Sequence, residues 1–156
     1  MSSSAVLGKQ EAGLIIDEAR RERGLTWDRL AEIIEQPPVW TVAALLGMHP
    51  VPEPVAGLVR AELGLDDDVV KALTRQPVRA ATTDISTDPT IYRFHELIGV
   101  YGPALKALIH EEFGDGIMSA INCSISVDRG THPDGDRVKV TIDGKFLPYA
   151  WNASED

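Results

Sequence analysis

Hydrophobic residues in the N-terminal half recur at helical spacing in five short segments. Apolar positions three and four residues apart predict one buried face for each helix. The segments fall at residues 12–19, 27–34, 39–46, 55–63 and 66–73, with breaks at Gly24, Pro37-Pro38, Gly47 and Gly64. Thr26 and Asp66 are favourable N-caps for the second and fifth helices. The pattern predicts a compact all-α bundle, helix-turn-helix-like in rhythm, over residues 1–75.

Helical periodicity is lost over residues 76–87, which we interpret as an extended linker, and it returns at Asp88. Asp88 is a good N-cap, and Pro89 suits the first helical turn. The apolar residues that follow predict a single buried stripe: Ile91, Phe94, Leu97, Ile98 and Tyr101. Gly102-Pro103 predicts the end of this helix and the start of another, whose apolar face carries Leu105, Leu108 and Ile109.

Alternation of apolar and polar residues replaces helical spacing after a turn predicted at Gly114-Asp115-Gly116. Two strands are expected, one carrying Ile121, Cys123, Ile125 and Val127, the other Val138, Val140 and Ile142. Asp143-Gly144 predicts a further turn, which leaves a third short strand at residues 145–149 as an open alternative. So small a sheet is marginally stable alone, so we expect it to pair with the same region of another subunit. The fold class is therefore α+β, with a small C-terminal α/β domain at 88–156 that we expect to mediate dimerisation.

Composition and charge exclude several classes of function. The chain has 156 residues and a formal net charge of −9, with the negative charge divided almost evenly between its two halves. This balance disfavours nucleic acid or an anionic membrane as a partner, because phosphate contacts require clustered Lys and Arg. One cysteine excludes an intrachain disulfide. The first residues lack the apolar core of a secretory signal, and no run is long enough to span a membrane, so we expect a cytoplasmic location.

Few residues suggest chemistry by spacing alone. Arg93 and Glu96 lie three positions apart on one helix face, where an exposed ion pair worth only ~0.3–0.5 kcal/mol is the simpler interpretation. Ser119 lacks the GxSxG context of a hydrolase nucleophile. The four histidines occupy unrelated contexts without metal-ligand spacing, so no metal is expected: His49, His95, His110 and His132.

A family resemblance changes this assessment. YRF followed by Glu96, then YG, LKALIHEEFGDGIMSAIN and later DGKFLP resemble the cyanase (cyanate hydratase) family. The similarity is dense over residues 88–122 and returns at 143–148. By position, the family's catalytic residues fall on Arg93, Glu96 and Ser119. His95 and residues 123–126 depart from the residues usual in the family.

The resemblance implies a lyase that combines cyanate with bicarbonate to give carbamate and carbon dioxide, after which carbamate decomposes to ammonia and carbon dioxide. It implies no metal or organic cofactor, with bicarbonate as co-substrate. It also implies a homodecamer, arranged as a pentamer of dimers, with intertwined C-terminal strands and active sites built from several chains.

The alternative hypothesis is a helix-turn-helix DNA-binding regulator whose C-terminal half only dimerises. The segment LTWDRLAEIIEQPPVWTVAALLG has the appropriate rhythm. Readout of phosphates and base edges requires Arg, Lys, Asn or Gln at the start of the second helix. Residues 37–47 contain none of these, and the segment is net acidic. We therefore interpret it as a scaffold used in subunit packing, with no nucleic-acid partner.

Overall fold

Six α-helices and one two-stranded antiparallel sheet are present in the computed structural model, which describes residues 6–77 and 87–150. The helices are α1 (Lys9–Glu22), α2 (Trp27–Ile33), α3 (Pro38–Leu45), α4 (Glu53–Leu63), α5 (Asp67–Thr74) and α6 (Pro89–Phe113). The strands are β1 (Gly116–Gly130) and β2 (Arg137–Pro148), paired as a hairpin. Most of the linker predicted at 76–87 lies outside the described residues.

The chain divides into two compact units. The first comprises Met1–Ala80 with the hairpin segment Ser126–Lys139, and the second comprises Ala81–Ile125 with Val140–Asp156. The predicted all-α region followed by an α/β region is confirmed. The domain boundaries predicted from the sequence stay predictions.

The hydrophobic core of the described residues lies in the first five helices. Every buried hydrophobic side chain falls between Ala12 and Leu73. All five predicted helices are present. The predicted cap on α2 is also confirmed, because the Thr26 hydroxyl accepts a hydrogen bond from the Arg29 N–H at 3.1 Å. The periodic apolar faces therefore suffice to specify this bundle.

Three helices in this bundle end in the same backbone arrangement, the Schellman motif. After α1, the Gly24 N–H donates to Arg21 and the next N–H donates to Arg20. Equivalent pairs of bonds follow α2 and α3. The motif places one residue in the left-handed region, normally glycine. Gly24 and Gly47 follow this rule, whereas Glu35 adopts φ 54° with a full side chain.

Two charged side chains form hydrogen bonds within the bundle. Asp17 accepts hydrogen bonds from Arg20 at 2.6 Å and from Arg21 at 3.0 Å. These bonds, chiefly the one from Arg20, lower the pKa of Asp17. The Lys9 ammonium donates to the carbonyls of His49 and Leu73, and burial lowers the pKa of Lys9. Lys9 thereby ties the first turn of α1 to the end of α5.

Helix α6 runs without interruption through Pro103, so the predicted break at Gly102-Pro103 is wrong. A proline normally disfavours helical geometry at the preceding residue, because its ring meets that residue's Cβ. Gly102 has no Cβ, so this clash is absent. The start is as predicted, since Asp88 accepts hydrogen bonds from two N–H groups of the first turn. Among the described residues, no helix is both long and apolar enough to cross a membrane.

The apolar stripe of α6 is not buried by its own chain, so the predicted burial is wrong for the single chain. No residue of α6 is buried. Because α6 is continuous, the face predicted for its second half, with Leu105, Leu108 and Ile109, extends the same stripe. Ile98 and Leu108, for example, are 57% and 62% exposed. The spacing correctly identified a stripe, but the described residues of one chain leave it exposed.

The two predicted strands are present, and both are longer than expected. Asp143-Gly144 lies inside β2, so the predicted turn is wrong, and residues 145–148 extend β2 instead of forming a third strand. The connection falls at residues 131–136. Strand β1 already begins at Gly116, which places Ser119 within it.

Candidate active site

Arg93 and Glu96 form an ion pair in the second turn of α6. The Arg93 guanidinium donates to Glu96 Oε2 at 2.8 Å. Their side chains are 70% and 53% exposed, so solvent screens the pair and its contribution to stability is small. The prediction that both share one helix face is confirmed. The guanidinium keeps N–H donors that Glu96 does not occupy.

Ser119 lies in a different environment, on β1, where it is only 7% exposed. Its Oγ accepts a hydrogen bond from the Ile121 N–H at 3.1 Å and another from the Asn122 N–H at 2.9 Å. A hydroxyl has two acceptor lone pairs and one proton to donate. Both acceptor positions are therefore occupied by backbone N–H groups, and the hydroxyl can still donate one hydrogen bond.

Within the described part of the chain, no hydrogen bond or ion pair joins Ser119 to Arg93 or Glu96. The three predicted residues thus form two separate groups, a surface ion pair on α6 and a held hydroxyl on β1. Among the described residues of one chain, no bond connects the two groups.

A groove of about 470 Å³ lies elsewhere in the same unit, between the second half of α6 and the start of β1. Its walls are mainly apolar, from side chains such as Leu105, Ile109 and Ile117. Lys106, His110, Asp115 and Tyr149 add polar groups. None of the three predicted catalytic residues lines this groove, so it is not the site that the sequence indicated.

The four histidines lie in separate surroundings. The His49 ring stacks on Trp40, and His110 Nε2 lies 3.3 Å from the Gly116 carbonyl oxygen. His132 Nδ1 accepts from the Asp134 N–H in the hairpin connection, and His95 is exposed on α6. Residues 6–77 and 87–150 contain no group of three or more metal-ligating side chains suitably placed for an ion.

The α2–α3 segment has little chemistry for binding DNA. The N-terminal end of α3 presents exposed Pro37 and Pro38. The nearest basic side chain on α2, Arg29, forms an ion pair with Glu32 at 2.8 Å. Arg29 is the one basic residue of the described helices α2 and α3, far fewer than the cluster of donors that readout of phosphates and base edges requires.

Sequence reasoning missed two features near the predicted site. It did not identify the backbone N–H groups of Ile121 and Asn122 that hold Ser119, because backbone donors carry no residue signature. It also placed Gly144 in a turn, whereas the structure places Gly144 against Ser119. The sequence signal for that approach was the return of the family resemblance at DGKFLP.

Family models cover most of the chain. The model described as "Cyanate hydratase, N-terminal" matches residues 9–77, and the "Cyanate lyase C-terminal domain" matches residues 83–151. A cyanate hydratase from Mycolicibacterium vanbaalenii is 57% identical over 148 residues, covering 94% of this chain and 97% of the relative. A cyanate hydratase from Pseudomonas savastanoi pv. phaseolicola is 52% identical over 133 residues, covering 85% and 86%.

A solved structure agrees with these relatives. A cyanase from T. urticae superposes with a TM-score of 0.80 at 39% identity, covering 90% of this chain and 99% of that chain. The regulator hypothesis finds no support among these proteins. With both halves matched and identity above 50% along most of its length, the chain belongs to the cyanate hydratase family.

Proposed function

We propose that this protein is a cyanate hydratase that uses bicarbonate to decompose cyanate. Cyanate, bicarbonate and one proton give carbamate and carbon dioxide, and carbamate then takes up a proton to release ammonia and a second carbon dioxide. The observation that carries the proposal is the 57% identity to a cyanate hydratase over 94% of the chain.

Two anions must meet in such a site, which sets its electrostatic requirement. Like charges about 4 Å apart repel by about 4 kcal/mol at an effective dielectric near 20. In this proposal Arg93 supplies the compensating charge, and its planar fork binds bicarbonate through paired N–H donors. The ion pair with Glu96, 2.8 Å long, orients that fork. Glu96 or an ordered water delivers the proton that the nitrogen requires.

Ser119 acts in the proposal as a hydrogen-bond donor to the substrate atom on which charge develops. Two backbone N–H groups already occupy its acceptor positions. These donors polarise the hydroxyl toward donation, and they fix its position before substrate arrives. A nucleophilic role would require a base to remove the proton. Among the described residues, no side-chain base is hydrogen-bonded to Ser119.

The proposed site is completed by other copies of the chain, in a homodecamer of five dimers. Two observations support this. The apolar stripe of α6 is uncovered, and Arg93 and Glu96 lie on the same helix, away from any bond to Ser119. A contiguous apolar surface of this kind marks an interface. Light scattering at micromolar concentration should give a mass close to ten subunits, and a folded active monomer would exclude the shared site.

The proposal includes no metal or organic cofactor, and bicarbonate is the only co-substrate. Activity should therefore survive dialysis against a strong chelator. Loss on chelation, with recovery on adding zinc, would show that a metal takes part. We also propose a cytoplasmic location, which suits the free thiol of Cys123, since reducing compartments keep cysteines unpaired.

Ammonia release from cyanate tests the central claim. The rate should depend on bicarbonate and fall when carbon dioxide is stripped from the buffer. A simple hydrolase would use water and be indifferent to bicarbonate. Duplex DNA at low salt should leave the protein's gel mobility unchanged.

A further inference from the structure

The two sequence motifs that carry the family resemblance contact each other across the hairpin. Ser119 belongs to FGDGIMSAIN on β1, and Gly144 belongs to DGKFLP on β2. A Cβ built on Gly144 would lie 2.7 Å from the Ser119 carbonyl oxygen and 2.5 Å from Met118 Cγ. Real Cβ atoms essentially never approach another heavy atom within 3.0 Å. Any side chain at position 144 must therefore shift the Ser119 segment, Met118 or β2 itself.

Space, and not backbone conformation, makes glycine necessary at this position. Gly144 is absent from the glycines with positive φ, so an L-residue could adopt its backbone angles. The obstacle is partly a backbone atom, the Ser119 carbonyl, which cannot move aside as a flexible side chain can. A side chain at position 144 would thus change the position of the peptide that carries the proposed catalytic hydroxyl.

A reciprocal approach occurs three residues earlier on β1. A Cβ on Gly116 would meet the Leu147 carbonyl and lie 2.5 Å from the edge of the Phe146 ring. Each strand therefore contributes one glycine that admits the other strand. The close approaches at Gly116 and Gly144 both involve the start of β1, the part that contains Ser119 and the N–H groups that donate to its hydroxyl.

We infer that Gly144 is a positioning residue for Ser119. Because Gly144 has no Cβ, β2 packs closely against the Ser119 peptide. This packing holds β1 in the position in which the Ile121 and Asn122 N–H groups donate to the Ser119 hydroxyl. The inference rests on the proposed function insofar as Ser119 binds substrate. A displacement of about 1 Å at a catalytic group costs about 100-fold in rate.

A double-mutant cycle tests whether Gly144 acts through Ser119. In the full-length protein, Gly144→Ala should lower kcat for ammonia release by about 100-fold. In a Ser119→Ala background the same change should cost less than about threefold, because residues that act as a unit are not additive. A purely structural role predicts the same loss in both backgrounds, and that result would overturn the inference.

Gly130→Ala is the matched control in the same hairpin. There the nearest atom to an added Cβ is Lys139 Cε at 2.8 Å, the far end of a flexible side chain, and the next is Arg137 Cβ at 3.2 Å, which needs to give by only a few tenths of an ångström. This variant should keep the parent kcat. A second variant, Gly144→Ala combined with Met118→Ala, removes the side-chain part of the clash and retains the 2.7 Å approach to the Ser119 carbonyl. Relative to Met118→Ala alone, it should show the same loss.

Hydrogen exchange gives a readout that does not depend on cyanate turnover. The peptide containing Ile121 and Asn122 should exchange faster in Gly144→Ala than in the parent or in Gly130→Ala. Unchanged exchange there would overturn the inference even if activity fell. If the parent itself released no ammonia, the proposed function would fail, while the exchange result would still decide the role of Gly144. Failure of both Gly144 variants to fold, with Gly130→Ala intact, would make Gly144 a folding residue and also overturn the inference.

Discussion

Replacing Ser119 with alanine separates what its hydroxyl contributes to folding from what it contributes to catalysis. The folded chain would lose two hydrogen bonds, from the Ile121 and Asn122 N–H groups. Each is worth about 0.5–1.5 kcal/mol net. Ile121 is 97% exposed, so water can reach its part of the strand and the total should be near the lower end. We expect a loss of about 1–2 kcal/mol, which leaves a domain of ordinary stability folded.

The catalytic loss should be larger. Removing one donor from the position where charge develops costs about 3 kcal/mol, which is about 150-fold in rate. Initial rates of ammonia release at saturating bicarbonate measure it, and light scattering checks that the variant assembles as the parent does. An alanine variant that assembles normally and turns over cyanate within about threefold of the parent would refute the donor role.

Four further predictions follow from other side chains. Arg93→Lys keeps the charge and loses the bidentate fork, so kcat/KM should fall at least about tenfold with assembly unchanged. Glu96→Gln should retain most activity if Glu96 only orients the guanidinium, and should lose it if the carboxyl transfers the proton; rates across pH distinguish the two. Glu35→Gly should stabilise the protein by about 0.5–1 kcal/mol in thermal unfolding, because glycine adopts the left-handed backbone conformation without strain. Gly24→Ala should destabilise the protein by about 1 kcal/mol for the converse reason. Asp17 has a pKa below its ordinary value of 3.8. The stabilisation that its carboxylate provides is therefore complete above that value and is lost as pH falls through the pKa of the folded state. The stability deficit of Asp17→Asn, measured by denaturant unfolding, should shrink on acidification.

The N-terminal bundle could be predicted from the sequence because its signals are local. Each helix has an apolar stripe of its own, and Thr26 caps its helix through a bond spanning three residues. The same holds for the start of α6 at Asp88. Such features require no knowledge of distant parts of the chain.

The errors arose where a distant or neighbouring atom overrides a local rule. Pro103 normally ends a helix, but the missing Cβ of Gly102 lets α6 continue. Asp143-Gly144 resembles a hairpin turn, yet its glycine lies within a strand, where it admits the carbonyl of Ser119. Twenty-four intervening residues separate Gly144 from Ser119, so this approach is visible only after the strands are paired.

In the proposed assembly, helix α6 would link association to catalysis. The residues of its stripe have the spacing of a buried face, but none of them is buried by the described residues, whose hydrophobic core lies in the first unit. Arg93 and Glu96 lie on the same helix. If other copies cover the stripe, the helix whose apolar face drives association also positions Arg93 and Glu96, two of the three proposed catalytic side chains.

Activity should then disappear with dissociation and not merely weaken. On serial dilution, specific activity should fall in parallel with the mass measured by light scattering. Alanine at Leu108, a stripe residue that is 62% exposed in the single chain, should shift both curves to higher protein concentration together. Each buried leucine truncated at such an interface removes about 2 kcal/mol or more of association free energy. A variant that dissociates while keeping its specific activity would show that each chain carries a complete site, and that the stripe serves association without completing the site.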